Sequence, residues 1–327
     1  MKDGKLPENV LKRSVLRQFC LERDDVLIGA GIGADSAAVR LSEGEAAVLC
    51  TDPVVWTDEA DAKRVVHAVC NDLACTGAQP VGLLLTALLP PELEEPVMRG
   101  MVQLIAAECE SVGIQILGGH TEVTSAVNRP VISVSGMGKV YEDKMIYPGG
   151  VSPGDDILVT KWIGLEGTAR IARCNGQELR QHFPAYMVEA AEAFDACISV
   201  LPEAALAAEY GVTAMHDVSE GGIFGALWEL AESSGIGLEI DLKRIPIRQE
   251  TIEICNFLDM NPYQLISGGS MLMAVPDGGS LACVLQAAGI PAAVIGKAVP
   301  GNDRVILNEG ERRFLERPAR DEIHRVL

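Results

Sequence analysis

None of the nine cysteines forms a CxxC pair with another, which excludes the usual paired-thiolate zinc site. They stand singly at Cys20, Cys50, Cys70, Cys75, Cys109, Cys174, Cys197, Cys255 and Cys283, most in apolar surroundings where cysteine acts as a small core residue. The odd count and the lack of a signal peptide predict reduced thiols and a cytoplasmic location. No apolar run is long enough to cross a bilayer, and the longest, Pro80–Pro91, predicts a buried strand. Positive charge is short as well: 27 Lys and Arg face 46 Asp and Glu, a net −19. That balance argues against nucleic acid or an anionic membrane surface as partner. It leaves room for a small anion, because a glycine loop with Mg²⁺ can hold phosphate on an acidic protein. There is no low-complexity tract and no repeat period.

What is present is a globular chain: 327 residues, 48% hydrophobic, enough for two domains each with a core. The first half alternates apolar strands with amphipathic helices through mostly short connections, which predicts an α/β or α+β fold. Tyr147-Pro148-Gly149-Gly150-Val151-Ser152-Pro153-Gly154 reads as the linker. The expected domains are residues 1–150 and 151–327.

The stretch Val69–Pro80, VCNDLACTGAQP, organises the first half. Thr57 or Asp58 can cap a helix here, and Val65, Val66, Val69 and Leu73 give it one apolar face. Asn71 and Asp72 interrupt that face. Either they are a solvated pair with a local hydrogen bond, or something needs them there. Upstream, Gly29-Ala30-Gly31-Ile32-Gly33-Ala34-Asp35-Ser36 lies between two short strands. Its spacing does not fit a dinucleotide fingerprint, and it is either a hairpin with an exposed Asp35 or a close-approach loop. Ala46–Cys50 reads as a strand ending in Thr51-Asp52, a common position for ligand contact. Ile114–Leu117 reads as a strand running into Gly118-Gly119-His120-Thr121-Glu122. Glycines after a strand can offer backbone N–H groups to phosphate, Thr121 adds a hydroxyl, and Glu122 is a hard oxygen ligand. His120 reads equally as a turn residue or a ligand contact.

In the second half, Asp156–Thr160 predicts a strand, residues 185–210 an Ala- and Glu-rich helix, and Arg304–Leu315 a hairpin turning at Asn308-Glu309-Gly310. Asp217-Val218-Ser219-Glu220-Gly221-Gly222 precedes a helix for which Ser219 is a plausible cap. The Gly-Gly pair weakens that first turn, so either the packing is tight or a ligand or second backbone comes close. Asp35, Asp52, Glu122 and Asp217 thus follow apolar strands or sit beside glycines, with Asp72 on a helix. Carboxylates without matching Lys or Arg nearby point to a bound cation, and hard oxygen donors suit Mg²⁺ on nucleotide phosphates.

Taken together, Gly33-x-Asp35-Ser36-Ala37, Thr51-Asp52, Asn71-Asp72-Leu73-Ala74-x-x-Gly77-Ala78-x-Pro80, Gly118-Gly119-His120-Thr121-Glu122 and Asp217-Val218-Ser219-Glu220-Gly221-Gly222 resemble the aminoimidazole ribonucleotide synthase-related (PurM-like) superfamily. The order is the family's own, nearly the whole chain is covered, and the nearest likeness is to its hydrogenase-maturation, HypE-like members. The resemblance implies an N-terminal domain whose mixed sheet pairs across a homodimer into a barrel, and a C-terminal α/β domain. It implies ATP and Mg²⁺ as cofactors and a small or carrier-bound substrate whose oxygen is phosphorylated. By matching motif it makes Asp35, Asp72 and Asp217 metal ligands. It makes Asp52, Asn71, Gly118, Gly119, Thr121 and Glu122 cofactor contacts, and it names no catalytic residue. Two alternatives follow: a non-catalytic nucleotide-binding maturation or regulatory subunit, or a thiamine-monophosphate kinase-like phosphotransferase. One departure is that hydrogenase-maturation members carry their substrate on a C-terminal cysteine, where this sequence reads Ile323-His324-Arg325-Val326-Leu327.

Overall fold

The computed structural model describes residues 4–5, 8–31, 37–317 and 320–326; Gly33, Asp35 and Ser36 lie outside them. The chain divides into two compact units, residues 1–73 with 78–145, and residues 74–77 with 146–327.

The first unit contains β1 (Gly4–Lys5), α1 (Glu8–Ser14), β2 (Val26–Ile28), β3 (Ala38–Val39), β4 (Glu45–Val55) and most of α2 (Asp61–Cys75). It continues with β5 (Gln79–Leu89), α3 (Glu95–Val112), β6 (Gln115–Val123) and β7 (Val131–Tyr141). Its five-stranded sheet runs β1-β6-β5-β7-β4, mixed because β5 and β6 are parallel while the other neighbours are antiparallel. The apolar stripe foreseen on α2 is what it buries: Val65, Val66, Val69 and Leu73 are all fully covered. The helix lies so close to β7 that a Cβ on Gly136 would stand 2.8 Å from the Val69 Cβ. Asp58, one of the two caps expected, accepts from the Ala60 N–H through Oδ1 at 2.8 Å. The Asp61 carboxylate reaches back to the Thr57 hydroxyl at 2.8 Å and the Asp58 N–H at 3.1 Å, satisfying donors that the first turn leaves open. Helix α3 ends at Gly113 in the left-handed conformation, φ 74°, as its glycine predicts.

Helix α1 is tied to α3 by one carboxylate. Glu95 accepts from Arg13 Nε at 2.6 Å, from Ser14 Oγ at 2.6 Å and from Arg99 at 3.0 Å. The Arg13 guanidinium leads in holding the Glu95 carboxyl down at about 2. A carboxyl with a depressed folded pKa stabilises the fold above its unfolded value, and that contribution fades as pH falls toward the folded one. We therefore expect stability to fall between about pH 4.5 and 2, with a component of that slope absent in Glu95→Gln; acid titrations of the two proteins followed by circular dichroism check it.

The second unit contains β8 (Asp156–Thr160), α4 (Leu165–Cys174), α5 (Gly176–His182), α6 (Ala185–Glu192), α7 (Leu201–Tyr210), β9 (Ala214–Asp217), α8 (Gly222–Ser234) and β10 (Gly237–Asp241). It is completed by α9 (Gln249–Phe257), β11 (Met271–Val275), α10 (Gly278–Ala287), β12 (Ala292–Val299), β13 (Arg304–Asn308) and β14 (Glu311–Phe314). The sheet order is β14-β13-β10-β12-β8-β11-β9. Strand alternation sorts its residues into two cores. Ile157, Val159, Leu272 and Ala274 pack with Ile223, Leu227 and Leu230 of α8. Leu158, Met271, Met273 and Val275 pack with Ala204 and Ala207 of α7 and Leu281 and Leu285 of α10. Helices thus cover both faces, the arrangement that nearly continuous apolar strands such as MLMAV require. The continuous helix expected over 185–210 is broken instead: a 3₁₀ segment occupies Ala193–Cys197, and Pro202 sits in the first turn of α7. A short 3₁₀ turn, Glu322–Arg325, follows β14.

Candidate functional site

Strand β4 is longer than its sequence implied. It continues through Pro53 to Val55, so Thr51 and Asp52 lie mid-strand and not at a strand end. Alternation then decides which face each side chain meets. Cys50 and Asp52 point to the α2 side, where the Cys50 thiol donates to the Val69 carbonyl at 3.4 Å. Asp72, projecting from α2, shares a hydrogen bond with Asp52. Burial, the main cause, pushes the Asp52 carboxyl up, and the interaction with Asp72 acts against it. Two carboxylates this close repel each other, a cation relieves that repulsion, and hard oxygen donors are what Mg²⁺ takes. The chemistry of the pair therefore fits a divalent ion. It is two ligands only: among the described residues no three His, Cys, Asp or Glu side chains come within reach of one metal. Burial, reinforced by the Asp72 and Asp52 charges, also pushes the Cys50 thiol up to about 12. Cys50 beside the pair is thus a neutral thiol at physiological pH and not a nucleophile. Asn71, one residue before Asp72, is buried in α2.

The Gly118–Glu122 block is not a turn. It lies within β6, paired with Leu84, Leu85, Thr86, Ala87 and Leu88 of β5. Its residues therefore split between faces. Asp52, Val134, Leu85 and Gly119 are directly paired across β4, β7, β5 and β6, and so share the α2 face with Thr121. Gly118, His120 and Glu122 are on the opposite face, where His120 Nε2 stands 3.3 Å from Glu122. Three strand spacings separate Asp52 from Gly119, about 14 Å at 4.8 Å per strand. A single ion does not span that; an extended nucleotide does.

The two glycines differ in what they permit. Gly119 has φ 148°, and a Cβ there would stand 1.9 Å from the Leu85 carbonyl oxygen. Close strand packing explains it without any ligand. A Cβ on Gly118 meets only Leu84 Cδ2, at 3.5 Å, an ordinary contact. Packing does not demand glycine at 118.

A cavity of about 1090 Å³ opens in this unit, lined by Gly118, Gly119, His120 and Thr121 together with Leu84, Leu85, Met98, Met101 and Ile105. Ala30, Gly31 and Ala37, which flank the segment carrying Asp35, also line it. Its mix of apolar wall and few polar groups is that of a small-molecule site. Strand periodicity could have found the Cys50–Asp52 relation, two residues apart on one face. The apolar lining carried no signal distinguishable from core.

Asp217 belongs to the second unit. It ends β9, an edge strand, paired with Met271. His216 Nδ1 lies 2.6 Å from the Asp217 carbonyl, and its Nε2 lies 3.4 Å from Glu229. The following helix begins at Gly222, with Gly221 left-handed at φ 83° in the cap position and no side-chain cap from Ser219. A Cβ on Gly222 would come within 2.7 Å of the Tyr263 and Leu265 carbonyls. Of the readings open for this glycine pair, approach of another backbone is the one seen at Gly222.

Residues 33–140 match the N-terminal domain, and residues 152–308 the C-terminal domain, of AIR synthase related proteins. The carbamoyl dehydratase HypE of Rhodobacter capsulatus is 28% identical over 84% of this chain and 81% of its own length. A thiamine-monophosphate kinase of Pyrococcus horikoshii is 26% identical over 73% of this chain and 74% of its own. The crystal structure of a hydrogenase maturation protein HypE in complex with ATP superposes with a TM-score of 0.79 at 20% identity, over 96% of this chain and 95% of that one.

Proposed function

From the premise that the chain belongs to the AIR synthase related protein family, we propose that it is an ATP- and Mg²⁺-dependent enzyme that phosphorylates, and so activates, an oxygen of a small or carrier-bound substrate. One observation carries the reading: the Asp52–Asp72 carboxyl pair, in the very unit whose large cavity is lined by Gly118, Gly119 and Thr121. The HypE-like and kinase-like relatives support nucleotide use.

In this proposal Asp72 is a Mg²⁺ ligand and Asp52 its immediate neighbour, the cation relieving the repulsion between the two carboxylates. Asp35 and Asp217 enter as further ligands from the sequence motifs alone. Mg²⁺, when bound, neutralises charge on the transferring phosphoryl group. Thr121 offers a hydroxyl on the Asp52 face, while Gly118, which leaves room for a phosphate or ribose to approach the backbone, and the Glu122 carboxylate lie on the other face of the strand. The aliphatic wall of the cavity excludes water, which protects an activated phosphate ester from hydrolysis. The exposed face of β4, with Leu49 73% accessible, is proposed as the surface a second copy covers in a homodimer.

Calorimetry with ATP, with and without Mg²⁺, is expected to show binding that needs the metal. Steady ADP release with one member of a metabolite panel would support turnover. Release driven by thiamine monophosphate would select the kinase-like alternative, and binding without any release the regulatory one. No ATP binding under either condition would end the proposal.

A further inference from the structure

We infer that Lys161 is a tethered cation: its ammonium fills a cage for a monovalent ion and thereby fixes the backbone that carries the end of β9. The residue lies just after β8, and its side chain is 11% exposed. Nζ stands 2.6 Å from the Ser199 carbonyl, 2.8 Å from that of Gly269, 3.1 Å from that of Cys197 and 2.7 Å from Glu203 Oε1. Three N–H donors thus meet four oxygens, three of them backbone carbonyls and one a carboxylate that is 1% exposed. Carbonyl oxygens converging from separate segments, with one negative charge among them, are the surroundings that dehydrated monovalent cations take.

Three further observations say that the cage is built and not incidental. Lys161 has φ 53°, a left-handed conformation that costs a residue with a Cβ free energy, so the surrounding contacts must hold it there. Glu203 is fully buried, and its Oε2 has no hydrogen-bond partner among the described residues. A carboxylate with one oxygen unsatisfied in the core depends on the ammonium and the Thr160 hydroxyl at the other. Last, a relay runs from the cage to the sheet: Met271 N–H donates to Thr160 Oγ1 at 3.1 Å, and Thr160 Oγ1 donates to Glu203 Oε1 at 3.2 Å.

The consequence reaches Asp217. Gly269, whose carbonyl the ammonium holds, precedes Ser270, whose carbonyl accepts from Val218 N–H at 2.9 Å. Met271 pairs directly with Asp217. Removing the ammonium frees the Ser267–Ser270 turn, and with it the register of the strand end beside it. Lys161 is a positioning residue, and what it supplies is a cation.

The test replaces that cation. Lys161→Gly removes the ammonium and is at ease at φ 53°, so the change isolates the charge from the backbone strain. Thermal midpoints are compared in ammonium chloride and in choline chloride at equal ionic strength, choline being too large to enter. The variant is expected to melt several degrees below the parent in choline and to recover most of that difference in ammonium. The parent melts alike in both salts. The exchange of the Val218 amide is expected to follow the same pattern, faster in choline and slowed by ammonium. Lys161→Met, which fills the channel with an apolar stem, stays low in both salts. An equal deficit of Lys161→Gly in the two salts, or recovery of Lys161→Met by ammonium, overturns the proposal. Should Lys161→Gly fail to fold, the parent protein labelled with ¹⁵N at lysine Nζ still decides. A slowly exchanging ammonium signal that disappears in Lys161→Arg is expected, and the lack of such a signal overturns the cage.

Discussion

Replacing Asp72 by alanine is expected to raise the Kd for Mg²⁺-ATP at least 100-fold, about 2.8 kcal/mol at 1.4 kcal/mol per tenfold, without lowering the melting point of the ligand-free protein. The two halves of that expectation come from one contact. Without nucleotide, Asp52 and Asp72 sit against each other as two acids, and ionising both at once costs free energy. Deleting one removes that conflict, so the empty protein keeps or gains stability. With Mg²⁺ present, the same deletion removes a charged oxygen ligand that water replaces poorly. Asp72→Asn keeps the hydrogen bond to Asp52 but not the charge, and is expected to lose binding to a similar extent. Unchanged affinity in both variants, measured by calorimetry, contradicts the assignment of Asp72.

The two neighbouring glycines of β6 are expected to respond in opposite ways. Gly119→Ala places a Cβ against the Leu85 carbonyl at a backbone angle that only glycine occupies with ease. Displacing β5 and straining the main chain together are expected to cost about 3 kcal/mol or more, enough to leave much of the protein unfolded at 37 °C. Gly118→Ala meets only the end of a leucine side chain and loses the entropy penalty of glycine in a strand. Its stability is expected to stay within about 0.5 kcal/mol of the parent or to rise. If the backbone at 118 is where the nucleotide approaches, ATP affinity falls in that variant although the fold does not. Chemical denaturation of both variants, with calorimetry on Gly118→Ala, separates packing from binding. Equal destabilisation by the two substitutions would contradict the distinction.

Where local chemistry decides structure, the sequence was readable. The stripe Val65, Val66, Val69, Leu73 needed only helical spacing, and Gly113 and Glu309-Gly310 stand where a left-handed residue is required. The errors share a cause: breakers placed where the sheet forgives them. Pro53 reads as the end of a strand, yet β4 is an edge strand, and an edge tolerates a residue that cannot donate on its outer side. Gly118-Gly119 reads as a loop, yet a register shift between Leu83 and Leu84 lets β5 and β6 pair through it. The opposite error occurred over 185–210, where Ala-rich composition outweighed Ser199 and Pro202, which both mark the start of α7. Of the site, the acids were legible as types. The contact between Asp52 and Asp72 was not, because it depends on α2 lying against β4, and a helix-on-sheet packing leaves no periodic trace linking two distant residues.

A crystal structure of the protein with Mg²⁺ and a non-hydrolysable ATP analogue tests the central claim most directly. The account predicts a Mg²⁺ ion about 2.0–2.1 Å from a carboxylate oxygen of Asp72, the Asp52–Asp72 hydrogen bond opened, and the nucleotide entering the cavity past Gly118. A nucleotide bound elsewhere, with the two acids still bonded to each other, would contradict it.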